Sequence, residues 1–173
     1  MASCAEEICD PQDRYLVITP YAGTTNRLRV IASAKILSEV TDRKLIIDWT
    51  LFPGEMPSLW KNLFRNPLTM FEDSNLISEG CSLARIKSAA ANDPVIKNLG
   101  SLNKASFQQR MGDISDDKEP IVYFGTSLNF RPNSKYMSYT DYNNQYRDFY
   151  KSLKLSNFAA KKEINDFTKK YFA

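Results

Sequence analysis

A chain of 173 residues is long enough for one domain with a hydrophobic core and too short for two substantial domains. Its 43% hydrophobic and 12% aromatic content is typical of a globular protein and excludes an intrinsically disordered one. The formal net charge of +3 neither requires nor excludes a polyanionic partner, whereas the lack of any histidine excludes histidine-based acid–base catalysis and histidine ligation of zinc.

The N-terminal residues and the cysteines indicate a cytoplasmic protein. Residues 1–13 form a polar lead-in without the basic start and apolar core of a signal peptide, and no apolar run approaches the length of a membrane span. Cys4, Cys9 and Cys81 are odd in number and form no CxxC pair, which is typical of a reducing compartment. We therefore expect no membrane span and no metal site.

The first folded elements are predicted to be a strand, a helix and a second strand. Residues 15–19 and 45–47 are short apolar runs rich in β-branched side chains, as in buried parallel strands. Between them, residues 28–40 repeat apolar side chains at the i, i+3, i+4 spacing of an amphipathic helix. This order predicts a right-handed βαβ crossover. The fold class is therefore α/β, with a three-layer, Rossmann-like parallel sheet flanked by helices in a single domain over residues 1–173.

The rest of the chain predicts further elements. Ser58 is expected to cap a short helix over residues 59–64, and residues 120–124 form a third strand closed by Gly125-Thr126. Asp141 is expected to cap a helix whose apolar stripe comprises Tyr142, Tyr146, Phe149 and Leu153. Additional helices are predicted at residues 76–77, 83–91, 95–99, 107–111 and 160–171.

The loop between the first strand and its helix is the candidate ligand site, because open α/β sheets bind ligands at the carboxyl ends of their strands. The amides and dipole of a helix N-terminus attract anions, and glycine lets the backbone come close to them. The segment that offers these groups comprises Gly23, Thr24, Thr25, Asn26 and Arg27. A diphosphate or a sugar would fit it. Alternatively, Thr25 or Asn26 only caps the helix, Gly23 makes the turn and Arg27 is a surface charge.

Known nucleotide motifs do not decide between these alternatives. The chain has no GxxxxGK[ST] segment, and of the GxGxxG fingerprint only Gly23 is present, which excludes a nicotinamide site. Asp48 ends the second predicted strand, while Asn129 and Arg131 follow the third on the same side of the sheet. These side chains are candidates for a substrate cleft. The alternative is an acid that caps a strand and a solvated loop.

The stretch ITPYAGTTNRLRVIASAKILSEVTDRKLIIDW resembles the opening of the fucosyltransferase-like glycosyltransferases, the group that includes α1,6-, nodulation and protein O-fucosyltransferases. Their first strand leads into a GGxGNRL-type loop, a helix and a strand ending near Asp-Trp. Asn26-Arg27-Leu28 matches the NRL portion and Gly23 matches one glycine, whereas Thr24-Thr25 departs from the pattern. Weaker similarity extends to residues 52–56, 63–64 and 149–153.

The resemblance implies the N-terminal domain of a two-Rossmann (GT-B) glycosyltransferase that uses a nucleotide sugar, with GDP-fucose as the suspected donor. It implies that residues 23–27 face the donor, and that Asp48, Asn129 and Arg131 lie on the side of a glycan or protein acceptor. No cofactor or metal is implied, because such enzymes offset diphosphate charge with arginines and amide dipoles. The chain ends before the His-x-Arg strand of the family, so we expect the second, donor-binding domain to be absent.

Two alternatives stay open at this point. The chain is either a domain that transfers a sugar when completed by a second chain or domain, or a truncated, non-catalytic module that binds sugar or protein. No catalytic base is identified in either case. A homo-oligomer is expected if an apolar surface is left uncovered. The lysine-rich final helix is compatible with nucleic acid, but Tyr142, Tyr146 and Tyr150 fall at core spacing, so we expect no nucleic-acid partner.

Overall fold

The structure is a computed structural model that describes residues 12–49, 59–68, 82–103 and 117–156. The strands in these ranges are β1 (Tyr15–Pro20), β2 (Lys44–Ile47), β3 (Ile96–Ser101) and β4 (Ile121–Thr126). The helices are α1 (Thr24–Val40), α2 (Trp60–Leu63), α3 (Leu83–Ser88) and α4 (Tyr139–Ser152).

The strands form one parallel sheet in the order β2-β1-β4-β3. Val17 in β1 lies opposite Ile46 in β2 and Tyr123 in β4, so the two central strands run in register from their first residues. Every residue of β1 and β4 is buried, because helices and loops cover both faces of these strands. The α/β class and the Rossmann-like arrangement predicted from the sequence are confirmed.

Side chains that alternate along the strands build a separate core on each face of the sheet. On the first face, Leu16, Ile18 and Phe124 pack against α1 and α4. On the second face, Val17 and Tyr123 pack with Ile86 of α3. Because successive strand residues point to opposite faces, the register of β1 with β4 fixes which polar residues share a face at the strand ends.

The prediction of a helix over residues 95–99 is wrong, since this segment is edge strand β3. The Asp93 carboxylate accepts hydrogen bonds from the backbone of Val95 and Ile96, at 2.9 Å each, and turns the chain into the strand. Ile96 alone is buried, and the pairing with β4 becomes irregular before Ser101. A half-exposed edge strand shows no clean alternation, so the spacing of Ile96 and Leu99 resembled a helical period.

Helix α4 keeps the predicted stripe but not the predicted cap. Ser138 is the N-cap, and its hydroxyl accepts from the backbone of Asp141 at 3.1 Å and donates to the Asp141 carboxylate at 2.7 Å. Asp141 therefore lies in the first turn. Tyr142 and Phe149 are buried. The remaining members of the stripe, Tyr146 and Leu153, pack against the same core.

The other helix predictions have mixed outcomes. Helix α3 confirms the start at Leu83 and ends at Ser88, before the predicted end. Helix α2 begins after Leu59, and Ser58 lies outside the described residues. The predicted helices at residues 76–77, 107–111 and 160–171 also lie outside the described ranges, as does most of the 1–13 lead-in.

A buried arginine fastens the amino-end edge of the sheet. The Arg43 guanidinium donates to the carbonyls of Asp117, Glu119 and Pro120 at 2.6, 2.8 and 3.0 Å, and Arg14 donates to the Asp117 carbonyl at 3.0 Å. Burial lowers the pKa of Arg43 to about 10, so the group remains charged at neutral pH. These bonds satisfy strand-entry carbonyls, which is a structural role.

Candidate functional site

The strand ends place the candidate site at the carboxyl edge of the sheet. β1, β2 and β4 all run in the same direction, so the segments that follow them meet at one edge. These segments are the loop before α1, Asp48 with Trp49, and the connection from β4 to α4. The sequence predicted that the loop, the strand-end acid and the β4 connection lie on the same side of the sheet, and this topology brings them to the same edge.

The loop between β1 and α1 has an unusual backbone. Tyr21 donates its backbone N–H to the Thr126 carbonyl at 2.9 Å, which extends the β1–β4 pairing by one residue. Ala22 then takes a left-handed conformation with a φ of 67°, which costs a residue with a Cβ about 1–2 kcal/mol. Gly23 is extended and is the N-cap of α1. A strained non-glycine residue in a loop at this edge marks a backbone shape that the surroundings enforce.

The first turn of α1 keeps the positive character of a helix N-terminus. Gly23 supplies no side chain to cap the helix, and the first turn contains no acidic residue. The turn consists of Thr24, Thr25 and Asn26, whose backbone N–H groups precede the first intrahelical bond, from the Arg27 N–H to the Gly23 carbonyl at 3.1 Å. Thr25 is exposed. This end of the helix is therefore suited to an anionic group.

Arg27 lies behind the loop and not on its outer surface. Its side chain is fully buried, its Nε donates to the Ala22 carbonyl at 2.8 Å, and its guanidinium lies 4.9 Å from the centre of the Trp49 ring. The charge is thus stacked on an aromatic ring and bonded to the strained residue. In this position Arg27 acts on the shape of the loop. Contact of Arg27 with a ligand, as expected from the sequence, stays a prediction.

Asp48 is the carboxylate at the centre of a buried polar network on the second face. It is 5% exposed, accepts from the Thr19 hydroxyl at 2.7 Å and forms an ion pair with Lys87 of α3 at 2.6 Å. The Tyr123 hydroxyl lies 3.1 Å from that of Thr19. The ammonium group and hydroxyl satisfy the carboxylate, which suits a residue that orients its neighbours.

Burial also changes the acidity of Tyr123. The ring is 4% exposed, and its desolvation raises the pKa of Tyr123 to about 12. The phenol additionally hydrogen-bonds to the phenol of Tyr21. Tyr123 therefore stays protonated near neutral pH and links the loop to the buried carboxylate.

The connection after β4 carries the remaining candidates. Asn129 and Arg131 are exposed, and the Arg131 guanidinium lies 5.1 Å from the centre of the Tyr139 ring. Between them, Phe130 is buried and anchors the connection, because its N–H donates to the Ser33 hydroxyl at 3.1 Å. The structure thus places both predicted side chains on the outer surface of a fastened connection.

Sequence reasoning missed Thr19, Tyr21, Lys87 and Tyr123. Thr19 is a polar residue in an apolar strand, and Tyr123 is at even spacing from the strand end, so both could have been assigned to one face with Asp48. No pattern in the sequence around Lys87 indicates that its side chain lies near Asp48. It reaches Asp48 because α3 packs on the second face, which depends on contacts far apart in the chain.

Comparisons with known proteins show which fold this chain shares. No protein-family model matches the sequence, and no curated protein sequence matches it. Among solved structures, the fucosyltransferase NodZ from Bradyrhizobium is similar, with a TM-score of 0.53 and 14% identity over 94% of this chain and 58% of that chain. The chain has a fucosyltransferase-like fold. The resemblance seen in the sequence is confirmed at this level.

Two further NodZ α-1,6-fucosyltransferase structures are similar to this fold. One, soaked with GDP-fucose, has a TM-score of 0.53 and 14% identity, and covers 94% of this chain and 56% of that one. The other, co-crystallized with GDP, has a TM-score of 0.50 and 14% identity, with coverage of 94% and 57%. The chain thus spans less than three fifths of the NodZ chains. Among its described residues, no helix is long and apolar enough to cross a membrane.

Proposed function

We propose that this chain forms one half of a fucosyltransferase-like glycosyltransferase and that its β1–α1 loop faces the diphosphate of a nucleotide sugar such as GDP-fucose. The observation that carries the proposal is a helix N-terminus without a side-chain cap or a first-turn acid, at the carboxyl edge of a fucosyltransferase-like sheet. The first turn contains no acid, so its dipole and amides favour an anion. The GDP-fucose and GDP used with NodZ supply the donor class.

In this proposal, some residues contact the diphosphate and Arg27 holds the loop in position. Gly23, Thr24, Thr25 and Asn26 offer amides, hydroxyls and a carboxamide to the diphosphate. Arg27 supports them from inside, through its bond to the Ala22 carbonyl. Stabilising the diphosphate lowers the cost of the bond that breaks between the sugar C1 and the phosphate oxygen as GDP leaves. A metal ion is not required in this scheme.

The acceptor side consists of Asp48, Asn129 and Arg131. An acceptor hydroxyl oxygen forms the new bond to the sugar C1 and gives its proton to a base. Asp48 is paired with Lys87 and bonded to Thr19, so we assign it the orientation of the acceptor side and not proton abstraction. A second domain or chain supplies the rest of the donor site and completes the cleft, because the chain spans only 58% of NodZ.

A charge placed on the α1 N-terminus tests the donor role. Thr25→Glu adds a carboxylate to the first turn of α1. The positive end of the helix dipole stabilises this carboxylate, but the carboxylate repels a diphosphate. We expect weak GDP binding by the wild-type chain, in about the millimolar range, and roughly tenfold weaker binding by the variant. NMR titration measures both. Guanosine, which lacks the diphosphate, should cause smaller shifts, and EDTA should change nothing.

Helix α4 offers a matched control. Thr140 occupies the same second helical position after Ser138 as Thr25 does after Gly23, and it is also exposed. Thr140→Glu should therefore add the same charge at the same helical position without weakening GDP binding. Equal losses in both variants would indicate a general charge effect. A folded wild-type chain with no saturable GDP binding would contradict the proposal and leave the non-catalytic module.

A further inference from the structure

Gly125 in β4 is a socket for the ring of Tyr21. A Cβ added at Gly125 would lie 2.5 Å from the Tyr21 hydroxyl oxygen, 2.6 Å from Cε2 and 2.7 Å from Cζ. Carbon atoms do not approach other atoms so closely, so any other residue here would displace the ring. Gly125 pairs with Thr19 as a regular strand residue, which means that the space for Tyr21 accounts for the glycine.

Tyr21 is held in this socket at both ends. Its backbone N–H donates to the Thr126 carbonyl at 2.9 Å, and its phenol hydrogen-bonds to Tyr123. The next residue, Ala22, has the left-handed φ of 67°, and its carbonyl accepts from Arg27 at 2.8 Å. The strained residue therefore lies between two fixed side chains, one packed on each side of the loop.

The hydroxyl protons show how the anchor continues into the sheet. The Thr19 hydroxyl donates its single proton to Asp48, so Tyr123 is the donor to Thr19. Tyr123 also hydrogen-bonds to the phenol of Tyr21. A chain of hydrogen bonds therefore runs from Tyr21 through Tyr123 and Thr19 to the Asp48 carboxylate, which the Lys87 ammonium holds in place. Hydrogen bonds thus link the position of the β1–α1 loop to the buried ion pair of Asp48 and Lys87.

We propose that Tyr21 is a positioning residue whose ring packs against Gly125 and thereby holds Ala22 in the left-handed conformation. This conformation presents the amides of residues 23–26 to the diphosphate. This inference rests on the proposed function, because it assigns the loop a nucleotide-sugar ligand. It adds a residue outside the predicted site and gives Gly125 a specific task. Tyr21 acts through the backbone that follows it and not by touching the ligand.

A double-mutant cycle tests the socket. Tyr21→Ala removes the ring, and Gly125→Ala displaces it, so each single variant should bind GDP about tenfold more weakly and melt at a lower temperature. In the Tyr21→Ala background the added Cβ meets no ring. Gly125→Ala should then change neither GDP affinity nor melting temperature further. Additive effects of the two substitutions would overturn the socket.

Rescue by glycine separates positioning from contact. Ala22→Gly favours positive φ without help from Tyr21, so adding it to Tyr21→Ala should recover most of the lost GDP affinity. A direct contact between Tyr21 and the ligand, or a role in stability alone, predicts no recovery. Failure of the rescue while the double variant stays folded would overturn the inference.

The two proposals fail in different ways. If the folded wild-type chain does not bind GDP, the proposed function fails and the nucleotide role of Tyr21 fails with it. The melting-temperature cycle between Tyr21 and Gly125 does not depend on GDP, so it still reports on the socket. If GDP binds but the cycle shows no coupling, the proposed function stands and the positioning role of Tyr21 is wrong.

Discussion

Tyr123 places a phenol inside the sheet between a threonine and a second tyrosine. Hydrogen bonds satisfy the hydroxyl, but they do not replace the hydration that a phenolate would need. Burial therefore raises the pKa of Tyr123 to about 12, above the ordinary value of 10.0. The consequence is a pH dependence of stability on the alkaline side.

We expect the folded chain to lose stability between about pH 10 and pH 12. The unfolded chain gives up the Tyr123 proton near the ordinary pKa, whereas the folded chain retains it up to about 12. The contribution is therefore fully present below pH 10 and disappears as the pH rises, with a size on the order of 2 kcal/mol. Urea unfolding at several pH values measures it.

Tyr123→Phe should remove this part of the alkaline loss. Burial also raises the pKa of Tyr142 and of Tyr146, so the variant should keep a shallower decline and not a flat profile. The comparison is between the slopes of wild type and variant above about pH 10. Parallel slopes would show that Tyr123 titrates in the folded chain much as it does in the unfolded one.

At the scale of elements, one buried hydroxyl cluster joins α1 to α4. The Tyr142 hydroxyl donates to the Phe130 carbonyl at 2.6 Å and lies 3.0 Å from the Ser33 hydroxyl, which also accepts from the Phe130 N–H at 3.1 Å. The cluster fixes the connection after β4 against both helices. It thereby sets where the predicted acceptor-side residues leave the sheet.

Tyr142→Phe should lower the free energy of unfolding by about 1–3 kcal/mol, because it removes the buried hydrogen bond from the Tyr142 hydroxyl to the Phe130 carbonyl. Tyr139→Phe is the matched control, since Tyr139 is 64% exposed and lies one turn earlier in α4. That control should change stability by no more than about 0.5 kcal/mol. Denaturant unfolding of both variants measures the difference, and equal values would contradict a buried role for the hydroxyl.

The elements that the sequence predicted correctly are those with strong local patterns. The apolar runs of β1, β2 and β4 and the helical period of α1 each lie within one stretch of chain. The edge strand β3 was missed because Asp93 and pairing with β4 shape it more than its own pattern does. Edge strands bury one face poorly, so their sequences carry less information.

The site was predictable only in its local part. Gly23 before a helical pattern pointed to the loop, and strand ends pointed to Asp48. Tyr21 and Gly125 could not be linked from the sequence, because only the register of β1 with β4 brings them together. The burial of Arg27 was also hidden. From the sequence alone, a charged residue among apolar ones is expected on the surface. In the fold, the Trp49 ring and the Ala22 carbonyl contact the Arg27 guanidinium and allow its burial.

At the scale of the whole molecule, the two edges of the sheet have different characters. At the amino-end edge, Arg43 and Arg14 satisfy carbonyls and fix the strand entries. At the carboxyl edge, the chain tolerates strain at Ala22 and keeps Asp48 buried beside hydroxyl groups. Because the amino-end edge has a structural role and the candidate site residues lie at the carboxyl edge, we place the partner half of the proposed cleft at the carboxyl edge.

The connection that leaves the carboxyl edge also exposes aromatic side chains. Tyr136 is 40% exposed and Tyr139 is 64% exposed, and each has a cationic side chain about 5 Å from its ring, Lys135 and Arg131 respectively. Tyrosine and arginine are both enriched in protein interfaces. If a second half covers this edge, as proposed, the chain alone exposes these rings to a second copy.

We therefore expect weak, concentration-dependent self-association through the exposed tyrosines. Tyr136→Ser with Tyr139→Ser should weaken the dimer by about tenfold, because aromatic anchors contribute disproportionately to interfaces. Leu155→Ser is the control: Leu155 is also 40% exposed, but it lies beyond the opposite end of α4, paired with Phe64. Sedimentation equilibrium measures all three chains. A wild type that stays monomeric at about millimolar concentration, or equal weakening by the control, would place the partner surface elsewhere.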